Sequence, residues 1–128
     1  MVLDIIRQMC TVQDLRFFSK GSSEIELRGF VWTPRNETVS NLVCVLVHPW
    51  GVLGGSSANT EPFAEILAST HGVQCITFDL RGVGKSGGKK SYKCVDEIKD
   101  VEGACEYVSV NLKKDVRGYH TIFYICSS

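Results

Sequence analysis

The sequence predicts a three-layer α/β fold, and three observations carry that prediction. Two apolar, β-branched runs, Leu42 to Val47 and Val73 to Leu80, read as buried strands. Each empties into a glycine-built loop, His48-Pro49-Trp50-Gly51-Val52-Leu53-Gly54-Gly55 and Arg81-Gly82-Val83-Gly84-Lys85-Ser86-Gly87-Gly88. A helical pattern follows each loop, and strands that alternate with helices pair in parallel through right-handed crossovers. In such sheets a site lies outside the carboxyl ends of the strands.

The elements follow in order. Residues 1–11 form an N-terminal extension, with Asp4 where a signal peptide needs an apolar core. Asp14 to Ser19 and Glu24 to Trp32 are two strands around a turn at Lys20-Gly21-Ser22-Ser23. The second alternates Ile25, Leu27 and Val31 with Glu24, Glu26 and Arg28, the pattern of a half-solvated antiparallel strand. This pair extends the sheet at one edge. Pro34 to Ser40 is a polar loop, and Asn36-Glu37-Thr38 in it is a glycosylation triplet of a kind that arises by chance. A helix is expected over Thr60 to Thr70, capped by Thr60, with Pro62 in its first turn and Gly72 stopping it. Phe63, Ile66, Leu67 and Thr70 share one face of it. A longer helix spans Val95 to Leu112, with Val95, Ile98, Val101, Cys105, Val108 and Leu112 on one face. Asp96, Glu97 and Asp100 stand in its first turns, where the helix dipole favours them, and Lys113 and Lys114 close it. Thr121 to Cys126 is a last buried-type strand.

Composition bounds the function. A chain of 128 residues, 44% hydrophobic and 22% charged, is one ordinary globular domain. Its 14 basic and 14 acidic residues cancel, so no net field steers it to nucleic acid or to an anionic membrane, and neither is an expected partner. No segment is long enough to span a bilayer. The six cysteines, at positions 10, 44, 75, 94, 105 and 126, lack a C-x-x-C and lack a His at ligand spacing. They read as small hydrophobes in a reducing, cytoplasmic setting, with no metal and no cofactor expected.

Three chemistries compete for the glycine loops. A phosphate-binding P-loop is suggested by Gly84-Lys85-Ser86, but its first glycine would fall on Asp79. A helix should also open directly after the serine, and Gly87-Gly88-Lys89-Lys90 cannot open one. The dinucleotide fingerprint matches literally at Gly82-x-Gly84-x-x-Gly87, yet it follows an internal strand and starts no helix.

The third is more specific. His48-Pro49-x-x-x-x-Gly54-Gly55, then Asp79-x-Arg81-Gly82-x-Gly84-x-Ser86-x-Gly88, then Glu97-x-x-Asp100 resemble the N-terminal half of the α/β-hydrolase superfamily. The serine aminopeptidase-like and dipeptidyl-peptidase-like branch is the most similar, and the resemblance runs from about residue 12 to 125. It implies that the first loop gives a backbone N–H to an oxyanion hole, with Trp50 at the donor position. Pro49 has no N–H to give. It implies a structural role for His48, Gly54, Gly55, Arg81, Gly82 and Gly84, which shape the two loops.

The resemblance places the nucleophile after the last strand, in a Gly-x-Ser-x-Gly elbow. Cys126 then falls at the first glycine and Ser128 at the nucleophile. The second oxyanion donor, the triad acid and the base would come later than Ser128. Substitutes are not offered by His48, by His71 beside Gly72, by His120 at the far end of the last strand, or by Asp79 and Asp100, which have loop and helix-start explanations. One missing oxyanion donor typically costs about 2.7–4 kcal/mol of transition-state stabilisation. The expectation is the N-terminal portion of a serine hydrolase for ester or amide bonds, catalytically incompetent as written. A small-molecule or peptide substrate is expected only for a full-length form. The alternative is a non-catalytic truncated isoform that acts as an interaction module. The last strand, Ile122 to Ile125, would then be an uncharged edge open to self-association.

Overall fold

The computed structural model describes residues 9–35, 43–50 and 54–112. Four strands form one mixed sheet: β1 (Cys10–Phe18), β2 (Glu26–Pro34), β3 (Val43–Val47) and β4 (Gln74–Phe78), in spatial order β1-β2-β4-β3. Pairs β1–β2 and β2–β4 are antiparallel, and β3–β4 is parallel. The parallel pair is joined by a 3-10 turn (Ser57–Asn59) and helix α1 (Glu61–Thr70), and helix α2 (Val95–Asn111) follows β4. The hairpin lies at one edge and the crossover is in place, as expected. The expected last strand, its edge, His120 and Ser128 lie outside the described residues, as do the glycosylation triplet and the two closing lysines.

Side-chain alternation in the strands builds two cores, one on each face of the sheet. Val43, Val45 and Val47 of β3, with Ile76 and Phe78 of β4, join Leu15, Phe17, Leu27 and Val31 beneath Ala104 and Val108 of α2. Cys44, Leu46 and Cys75 face the other way and join Cys10 and Trp32 beneath Ala64 and Ala68 of α1. All five residues of β3 and all five of β4 are buried, the signature of parallel strands covered on both faces.

Several expected boundaries and faces are corrected. β1 begins at Cys10, inside the stretch expected to precede the fold, because β2 runs on to Pro34 and pairs with it there. β2 starts two residues late because the Ser22 hydroxyl accepts the N–H groups of Glu24 and Ile25 and consumes them in the turn. Pro34 is harmless at the end of β2, since pairing with β4 stops at Trp32.

Both helices are rotated from the face counted in the sequence, though Leu67 of α1 and Val101, Val108 and Leu112 of α2 pack on the core as expected. Phe63 and Ile66 of α1 are about half exposed, and the buried residues are Ala64, Ala68 and Ser69. The sheet beneath already carries Trp32, so the helix seats on small residues. In α2, Val95 and Ile98 point outward and the buried stripe is Glu97, Asp100, Ala104 and Val108. Thr60 does not cap α1 with its side chain; its hydroxyl donates to the Ser57 carbonyl at 2.8 Å.

Candidate functional site

The two glycine loops meet at the carboxyl ends of β3 and β4. His48, 2% exposed, is the joint between them. Its Nδ1–H donates to the Pro49 carbonyl at 2.8 Å, and its Nε2 accepts the Leu80 N–H at 3.0 Å. Both ring nitrogens are therefore committed, and the second bond requires the neutral ring. Burial pushes the His48 pKa down, against the opposing pull of the Pro49 carbonyl and Asp79. Trp50 follows, half-buried against the α2-side core. Gly55 closes the turn by donating to the Pro49 carbonyl at 3.2 Å. A Cβ on Gly55 would stand 2.1 Å from Asn59 Oδ1, an atom that also accepts the Ser56 N–H at 3.0 Å.

The second loop is tied at many points. Asp79 Oδ1 accepts the Ser57 N–H at 2.8 Å and so links it to the first crossover. The Ser86 hydroxyl donates to the Asp79 carbonyl and accepts the Arg28 N–H, the latter at 2.9 Å. Gly82 and Gly84 have φ of +72° and +53°, and a Cβ on Gly84 would stand 2.6 Å from Asp79 Oδ2. Both positions demand glycine.

Arg81 is buried with Asp100. Its Nη2 lies 2.8 Å from Asp100 Oδ1, its Nε donates to both carboxylate oxygens, and its backbone N–H donates to Oδ2 at 2.9 Å. Nη2 also donates to Ser19 Oγ at 2.9 Å, which fastens the hairpin turn to the loop. The bonds to Asp100 hold the Arg81 pKa above its ordinary value.

The structure thus brings together His48, Trp50, Gly54, Gly55, Arg81 and Lys90 around a crevice of about 10 Å³. That volume suits about one water and no substrate. The described residues of the two loops meet around this crevice. His71 is exposed at the end of α1, where the chain turns back toward the start of β4, at the opposite end of the sheet from the loops.

Two site residues escaped the residue-by-residue reading. Asp100, which the sequence places at the dipole end of α2, is the buried partner of Arg81. Glu97, 4% exposed, accepts the Ser91 N–H at 2.9 Å and the Ser91 hydroxyl at 2.7 Å. The signal for both was present: positions 97, 100, 104 and 108 form one helical stripe that ends in Ala104 and Val108.

This sheet order, with an antiparallel hairpin beside a parallel crossover and the two glycine loops at the carboxyl ends, matches solved structures. The chain has the N-terminal half of the α/β-hydrolase fold. An esterase from Pyrococcus furiosus superposes with a TM-score of 0.72 at 20% identity, over 97% of this chain and 45% of its own. An α/β serine hydrolase homologue from Coxiella burnetii superposes with a TM-score of 0.69 at 20% identity, over 88% of this chain and 51% of its own. A lidless α/β serine hydrolase from Xanthomonas campestris gives 0.69 at 17% identity, over 88% and 50%. This α/β-hydrolase-fold chain therefore spans about half the length of the structures it matches. No family model and no curated protein matches it in sequence.

Proposed function

We propose that this chain is the N-terminal portion of a serine hydrolase acting on ester or amide bonds, of the serine aminopeptidase-like branch. The observation that carries the reading is the His48 joint. A neutral ring pins the Pro49 carbonyl on one side and the Leu80 N–H on the other, and so presets the loop on which Trp50 sits. A preset backbone donor at the end of β3 is what an oxyanion hole needs, because it costs no reorganisation during reaction. The donor in this reading is the Trp50 N–H and the nucleophile is Ser128. Gly54, Gly55, Gly82, Gly84 and the Arg81–Asp100 pair keep the loops in place.

The residues described here supply neither base nor acid. His48 has both nitrogens engaged, and Asp100 is neutralised by Arg81. Turnover accordingly belongs to a longer form, and the segment by itself gives at most trace esterase activity. The five described cysteines form no disulfide with one another, which suits a reducing, cytoplasmic setting. Among the described residues no helix is long and apolar enough to cross a membrane, and no cluster of His, Cys, Asp or Glu could hold a metal.

The test is capture of the endogenous protein with an antibody against residues 87–93, followed by intact mass and fluorophosphonate labelling. The expected result is a species well above 14.2 kDa whose adduct maps to Ser128. A species of 14.2 kDa that takes no label would overturn the hydrolase reading in favour of the non-catalytic module. In that case a second copy, paired through Thr121 to Cys126, is the first partner to seek.

A further inference from the structure

The basic and acidic residues cancel over the whole chain but not along it. No acidic residue stands between Asp79 and Asp96, while Arg81, Lys85, Lys89, Lys90 and Lys93 all fall there. Arg81 is neutralised by Asp100. Lys85, Lys89 and Lys93 are exposed and Lys90 is half-buried, and none of the four forms an ion pair among the described residues. The neighbouring acids are engaged elsewhere: Glu97 with Ser91, Asp100 with Arg81, and Asp96 with Lys99 at 3.9 Å. Glu26, whose carbonyl accepts the Gly87 N–H, makes no ion pair with the lysines. Apolar side chains are exposed directly beyond them. Tyr92 and Val95 are 61% exposed and Ile98 is 51% exposed, with Val95 and Ile98 one turn apart at the start of α2. We propose that this loop and helix start form a docking surface for an anionic lipid bilayer. The four lysines meet the headgroups, and Tyr92, Val95 and Ile98 enter the interface.

The backbone is set to project these residues. Cys94, at φ +65° and ψ −34°, centres a three-residue turn in which the Val95 N–H donates to the Lys93 carbonyl at 2.7 Å. Turns of this kind are rare and strained. Tyr92, at φ +58°, is left-handed as well. Such strain persists only where the surroundings impose it. Glu97 imposes it from the buried face of α2, accepting the Ser91 N–H and hydroxyl at 2.9 and 2.7 Å, and the Ser91 oxygen accepts the Lys93 N–H at 3.2 Å. Four successive residues, Tyr92 to Val95, are exposed as a result. A projection held in advance loses little freedom when it docks.

Shape and chemistry favour a bilayer over an acidic peptide. A peptide is held in grooves and pockets that take its side chains. Side chains more than half exposed make a convex knob instead, which a bilayer accepts. Tyrosine suits the membrane boundary, and lysine stems lie along it with their charges in the headgroups. Four lysines in the nine residues 85–93 match the charge of basic clusters that bind anionic lipid. Lys90 also lines the crevice with His48 and Trp50, so the surface adjoins the glycine loops. The proposal stands apart from the hydrolase reading and is tested without turnover.

The test is sedimentation of the chain, at its natural length, with vesicles of phosphatidylcholine alone or mixed equally with phosphatidylserine. Binding to the mixed vesicles alone is expected, and it should weaken steeply as salt rises. Lys85→Ala, Lys89→Ala and Lys93→Ala should each weaken it about fivefold, and together about a hundredfold. Tyr92→Asn, which tolerates the left-handed backbone, should weaken it several-fold and leave the salt dependence in place. No binding to the mixed vesicles, or equal binding to both kinds, overturns the proposal. Unaltered binding in the triple lysine variant or in Tyr92→Asn also overturns it. A chain that ignores the vesicles yet binds polyglutamate overturns it in favour of a protein partner. Should a variant lose its urea transition, the wild-type salt series decides, and binding insensitive to salt overturns the proposal equally.

Discussion

The loop after β3 and the loop after β4 have similar glycine content and opposite construction. The second is fastened by Asp79, Arg81, Ser86 and Gly87 to the first crossover, α2, β2 and the hairpin turn. Among the described residues, the first is held by His48, whose ring bonds the Pro49 carbonyl and the Leu80 N–H, and by the Gly55 N–H. One loop is a frame and the other is displayed on it.

Substitutions in the two loops break this comparison in order of expected size. Asp100→Ala leaves Arg81 buried without its partner and should cost about 3–5 kcal/mol in urea unfolding. A paired replacement of Arg81 and Asp100 by apolar residues should cost much less, which would show that the loss is an orphaned charge. Gly84→Ala places a side chain at φ +53° and should cost about 1–2 kcal/mol from conformation alone, with the Asp79 contact added. Gly55→Ala should cost less, about 1 kcal/mol, because the Asn59 side chain can rotate away and only its cap on the Ser56 N–H is lost. A Gly55→Ala loss as large as that of Gly84→Ala would abolish the distinction between frame and display.

The smallest effect is read by pH. The His48 pKa is lower folded than unfolded, so the unfolded chain takes up the proton first as pH falls. Its contribution is complete above about 6.5 and is lost progressively below it, as protonation removes the acceptor for the Leu80 N–H. In His48→Gln, urea midpoints between pH 7 and 5 should fall less steeply than in wild type.

The sheet was legible because its signal is local. β3 and β4 are unbroken apolar runs, and the hairpin turn carries its own serine and glycine. The helices misled because a count of large apolar residues picks Phe63 and Ile66 in α1 and Val95 and Ile98 in α2. Close seating on the sheet instead selects Ala64 and Ala68, and in α2 an acidic pair that neutralises or anchors a loop. Asp100 looks like a dipole residue in sequence, since its partner Arg81 is 19 positions away. The loops themselves were legible as glycine patterns. Their fastening was not, because Ser19, Arg28 and Ser57 enter only through tertiary proximity.

The sulfur atoms grade the molecule from surface to interior. Cys94 is exposed and Cys105 intermediate, while Cys10, Cys44 and Cys75 are 4%, 1% and 0% exposed. Contact with Cys44, together with burial, keeps the Cys75 thiol far above its usual range and unreactive while the fold holds. An alkylating reagent therefore meets a built-in clock. Cys94 marks time zero, and the delay before Cys44 and Cys75 react measures how often β3 parts from β4.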